Sequence, residues 1–98
     1  MAAPSRRYEV AGRRHVDAWI AHTGDVARRR KFLAWLAAAS HDPTQVASTS
    51  YRRDGARPGR TLHVAVVPGA GCIVSYHVLT APVRALVIVS VIDDPAAG

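Results

Sequence analysis

The sequence predicts an α+β fold: an N-terminal helical hairpin packed on one face of a twisted antiparallel sheet of three to four strands. Three observations carry this prediction. Apolar residues recur at helical spacing between Arg14 and Ala39, then switch to alternation after Pro43. The order is two helices followed by a run of strands joined by short turns, which puts the helices together on one side of the sheet. The chain has 98 residues, enough for one hydrophobic core and no second one. One domain is expected over 1–98, with 1–7 and 95–98 as loose termini.

Each element has a local reason. Tyr8-Glu9-Val10 suits a short edge strand, and Gly12 breaks the chain after it. From Arg14 to about His22, Val16, Trp19 and Ile20 share one helical face. Thr23-Gly24-Asp25 stops this helix and starts another: Gly24 suits a C-cap and Asp25 an N-cap. The second helix covers about Val26 to Ala39, with Val26, Phe32, Leu33, Trp35, Leu36 and several alanines as its apolar stripe. Arg28, Arg29, Arg30 and Lys31 occupy a full turn, so they read as a solvated face rather than one contact surface. His41-Asp42-Pro43 ends the helix, because proline disfavours helical geometry in the residue before it. The tight link makes the two helices an antiparallel hairpin.

Residues 44–60 are polar and basic, and three strand candidates follow: Thr61–Val67, Cys72–Leu79 and Arg84–Ile92. Pro68-Gly69-Ala70-Gly71 and Thr80-Ala81-Pro82-Val83 connect them as hairpins. Alternation suggests pairing residue 64 with 76, which gathers Leu62, Val64, Val66, Val74, Tyr76 and Val78 on a core face. That register sets His63 opposite His77 on the other face, with Cβ atoms roughly 5 Å apart. Ser75 lies next to His77 on the same face. The last strand is apolar on both sides, with Ala85, Val87, Val89 and Val91 on one and Leu86, Ile88, Ser90 and Ile92 on the other.

Lys and Arg number 13 against 7 Asp and Glu, a net charge of +6. This excludes an acidic solvating tail and favours nucleic acid, an acidic protein or an anionic surface as partner. Lys31 is the one lysine among the cations. Arginine suits phosphates and carboxylates, and a GC-rich coding sequence would also supply it. The single cysteine, Cys72, leaves no internal disulfide and no thiolate zinc site; it reads as a small buried hydrophobe in a cytoplasmic protein. The start of the chain lacks the apolar stretch of a signal peptide, and no run is long enough for a membrane span. No cofactor or metal is expected.

Two constellations could carry chemistry. A histidine pair on an open sheet face can do general acid/base work, because imidazole titrates near neutrality. The plain alternative is two partly exposed histidines without a joint role. Arg52, Arg53, Arg57 and Arg60 could clamp phosphates as a nucleic-acid-binding loop, or simply stay solvated. Trp19, Trp35 and Tyr76 read as core, and Asp93 and Asp94 as the end of the last strand.

Two short helices, a basic linker, and strands reading Leu62-His63-Val64-Ala65-Val66, Gly71-Cys72-Ile73-Val74-Ser75-Tyr76-His77-Val78 and Val87-Ile88-Val89-Ser90-Val91-Ile92 resemble the RelE/ParE toxin superfamily over about residues 8–94. The resemblance implies the toxin of a bacterial type II toxin–antitoxin pair, held inactive by a wrapping segment of its cognate antitoxin. RelE-like members are ribosome-dependent endonucleases that cut mRNA and arrest growth; ParE-like members inhibit DNA gyrase without nuclease activity. The basic positions of the RelE-like active face fall here on Ile73, on His63 and Ala65, and around Ile92 to Pro95. That catalytic set is therefore largely missing. Some relatives use histidines, which leaves His63 and His77 as the catalytic base and acid, with the arginine loop supplying charge. On this reading RNA cleavage stands ahead of gyrase inhibition, and a small basic nucleic-acid-binding module is a further alternative.

Overall fold

A computed structural model describes residues 7–51 and 61–97. Arg52, Arg53, Arg57 and Arg60 lie outside the described residues. The first element is a three-residue strand, β1 (Glu9–Ala11), tied down by Tyr8 N–H donating to Ser40 O (2.7 Å) and Glu9 N–H donating to Arg84 O (2.9 Å). Gly12 then takes a left-handed conformation (φ 75°), with its backbone pressed against Ile88. A Cβ there would overlap the Ile88 carbonyl oxygen, so only glycine lets the chain leave the sheet at this point.

Helix α1 (Arg13–His22) follows and buries Val16 and Trp19. Its end differs from expectation: Gly24 does not form a left-handed cap. Thr23 caps the helix in extended conformation, its N–H bonded to Trp19 O at 2.9 Å. Asp25 N-caps helix α2 (Val26–His41) as its sequence position implies, accepting from the backbone N–H of Ala27 (2.9 Å) and Arg28 (3.2 Å). Asp42 then accepts from Thr44 N–H (3.0 Å) and Thr44 Oγ1 (2.7 Å), which starts the short 3-10 turn Pro43–Gln45.

The sheet has five strands in the order β1-β5-β4-β3-β2, the others being β2 (Thr49–Tyr51), β3 (Leu62–Val67), β4 (Cys72–Leu79) and β5 (Ala85–Asp93). It is mixed rather than antiparallel, because β1 runs parallel to β5. The molecule is α+β with one more strand than the expected three to four. The extra strand, β2, is an exposed Thr-Ser-Tyr run with no apolar alternation to betray it.

The β3–β4 register also differs from the pairing of residue 64 with 76. His63 pairs Tyr76, Ala65 pairs Val74, and Val67 pairs Cys72. The connection is therefore the four residues Pro68 to Gly71, with Gly69 (φ 76°) and Gly71 (φ 63°) both left-handed. A one-residue shift turns β3 over. Ala65 and Val67 face the helices at 1% exposure each, while Val66 points outward at 59%. The physical reason is the turn: with Gly69 and Gly71 both left-handed the connection takes four residues, and loop length fixes a hairpin's register. On β5 a bulge at Val89 sets Ser75 opposite Ser90 but Tyr76 opposite Ile88, so the simple two-sided alternation of that strand does not hold. Leu86 and Ile88 are buried, and Val91 packs partly against the core.

The core runs from Val16 and Trp19 through Phe32, Trp35, Leu36 and Ala39 to Val74, Tyr76, Leu86 and Ile88. Its aromatic rings are in sequential contact: Trp19–Phe32 at 5.0 Å between centroids, Phe32–Trp35 at 6.3 Å, Trp35–Tyr76 edge-on at 5.8 Å. Cys72 belongs to this core, as its lone occurrence suggests, and burial pushes its thiol up to about 11.

Candidate functional site

The turned-over β3 separates the two histidines. His63 shares the helix-side face with Tyr76, on which its ring stacks at 5.4 Å and 21°. His77 follows Tyr76 directly and so points to the opposite face of the sheet. The expected face-to-face pair does not form. Burial holds the His63 imidazole below its ordinary value, and the charge of His77 pushes the same way. Ser50 Oγ lies 3.2 Å from His63 Nδ1. His77 Nδ1 donates to the Thr61 carbonyl at 2.9 Å, which fixes its ring from the other side of the sheet. Two imidazoles on opposite layers cannot take a proton from, and give one to, the same scissile bond.

The cationic turn of α2 is no uniform solvated face. Arg28 donates through Nε to Ala70 O (2.7 Å) and through Nη2 to Gly71 O (3.2 Å) and Asp93 Oδ1 (2.9 Å). Its guanidinium also lies over the Trp19 ring at 5.5 Å. Arg28 thus clamps the β3–β4 turn to the end of β5. Arg29 donates to Thr23 O (2.9 Å) and closes the link between the helices. Arg84 lies over the Tyr8 ring at 6.0 Å.

Asp93, expected only to end a strand, is a junction. It accepts from Trp19 Nε1 (3.0 Å) as well as from Arg28. The Trp19 hydrogen bond, then Arg28, and more weakly His22 hold its carboxyl below the usual range. Beside it, α1 and β5 enclose an open cleft of about 340 Å³ lined by His15, Ala18, Trp19, His22, Val91, Ile92 and Asp93. The i, i+4, i+7 spacing of His15, Trp19 and His22 puts two imidazoles along one wall. No sequence signal singled out this cleft, because it depends on how α1 crosses β5.

Among the described residues, no group of three His, Cys, Asp or Glu side chains is placed to hold a metal ion. The arrangement is suited to binding: an apolar floor, two imidazoles and a carboxylate already engaged by its neighbours. The outer sheet face is apolar too, with Tyr51, Val66 and Ile92 each more than half exposed. Among the described residues no helix is long and apolar enough to cross a membrane. No known protein family, curated protein or solved structure compared with this chain matches it.

Proposed function

We propose that this chain is the toxin of a type II toxin–antitoxin pair, built on the RelE/ParE plan and acting in the cytoplasm by binding DNA gyrase rather than by cutting mRNA. The order of elements, a helical hairpin followed by a meander of strands whose one face it covers, supports the kinship. The +6 charge suits an acidic antitoxin. The observation that favours the second branch, gyrase binding, is the placement of His63 and His77 on opposite faces. A cleaving toxin with neither the basic catalytic set nor a convergent acid and base has no evident machinery among the described residues, whereas an inhibitor needs only a surface.

Induced expression in a bacterial host tests this directly. The expected result is growth arrest with trapped gyrase–DNA adducts, intact transcripts, and unchanged arrest in the His63→Ala/His77→Ala double variant. Codon-associated transcript cuts that disappear in the double variant would restore the ribosome-dependent endonuclease. Harmless expression would leave a small basic nucleic-acid-binding module.

A further inference from the structure

We infer that the uncovered face of the sheet is the surface through which two copies of this chain pair, sheet against sheet. This pairing is independent of the toxin reading. The helices cover the side of the sheet that carries Ala65, Val67, Val74, Tyr76, Leu86 and Ile88. Alternation turns the neighbouring side chains to the other side. The register lines these up in rows across the strands: Val66, Ile73 and Ile92 in one, Val64, Ser75 and Ser90 in the next. Val66 and Ile92 stand 59% and 54% exposed. A sheet with one face in water ordinarily turns polar side chains that way; this one turns valine and isoleucine.

Charge selects the occupant. The five strands hold no lysine or arginine. Their two acids lie off the patch: Glu9 is on the short edge strand β1, and Asp93 is bound on the helix side by Trp19 and Arg28. A nucleic acid or an acidic protein finds no counter-charge on these strands. A second copy fits without one. Apolar row meets apolar row, and Ser75, midway along the central strand β4, brings a hydroxyl that both donates and accepts. The cations of α1 and α2 then lie on the two outer layers, about 30 Å apart at about 10 Å per layer, several Debye lengths at physiological ionic strength.

The area suffices for a weak, specific pair. At about 4.8 Å between strands and about 3.3 Å per residue, the five strands present a face of roughly 450 Å² in projection. Two such faces, with side-chain relief, come to about 1,200 Å², the lower end of specific interfaces.

Sedimentation equilibrium of the full chain, from about 5 to 500 µM, is the test. A monomer–dimer equilibrium with a dissociation constant on the order of tens of micromolar is expected, so unfolding curves at low micromolar concentration read the monomer. The Val66→Lys/Ile92→Lys double variant should weaken pairing at least about tenfold, and Leu33→Lys, on the exposed side of α2, should leave it unchanged. Should the double variant melt below the parent chain, amide chemical shifts of the unaltered chain on dilution carry the comparison. They should move at Val66, Ile73 and Ile92 and stay still along α2. A monomer at every concentration, growth beyond a dimer, equal weakening by Leu33→Lys, dilution shifts confined to the helices, or monomers that bind zwitterionic lipid vesicles in place of one another would overturn the inference.

Discussion

At the scale of single residues, Arg28 has the largest structural role that its sequence context hides. One guanidinium satisfies two turn carbonyls, pairs Asp93 and covers Trp19. Arg28→Ala should cost about 1–3 kcal/mol in urea unfolding, mostly from the carbonyls left unbonded, since the ion pair is partly screened by solvent. Arg28→Lys should recover only part, because an ammonium cannot reproduce the planar fork. His63 gives a pH signature. Its folded-state value lies below the ordinary 6.5, so the unfolded chain binds its proton more readily. Its contribution is fully present above about 6.5 and is lost as pH falls from there toward the lower folded value. His63→Gln should flatten that part of a stability-against-pH curve measured by chemical unfolding. Residue types and spacing made Trp19, Trp35, Tyr76 and Cys72 legible as core. They could not reveal Arg28 or Asp93, whose partners lie far along the chain.

At the scale of elements, the helices were legible because their signals are local: Asp25 before an apolar stripe, Pro43 after it. The sheet register was not. β3 is apolar at five of its six positions, so alternation alone could not say which set faces inward. The four-residue turn with two left-handed glycines sets it, and alternation within the strands does not contain that information. The observed register makes a sharp prediction. Val66→Lys should change stability by no more than about 0.5 kcal/mol, while Val67→Ala should cost about 1–3 kcal/mol. Equal costs in paired unfolding curves would mean the strand is assigned to the wrong face. Gly12→Ala should be worse than either, since it combines a left-handed φ with a Cβ overlapping a carbonyl; a large fall in Tm or in soluble yield is expected.

At the scale of the whole molecule, the helices cover one face of the sheet and leave an apolar opposite face under a strong positive charge. These two features oppose one another: the patch favours association and the charge resists it. Light scattering should therefore show self-association growing as salt rises, because screening removes the repulsion first. Val66→Lys combined with Ile92→Lys should suppress it without lowering Tm. The parallel contact of β1 with β5 has a further consequence, one of timing. Glu9 to Ala11 find their partner only after Ala85 to Val87 have been made. During translation α1 must wait, with the Asp93 partner of Trp19 still missing, until β5 leaves the ribosome. A nascent chain halted before that strand has no native state to reach, and it stays open to proteases and chaperones.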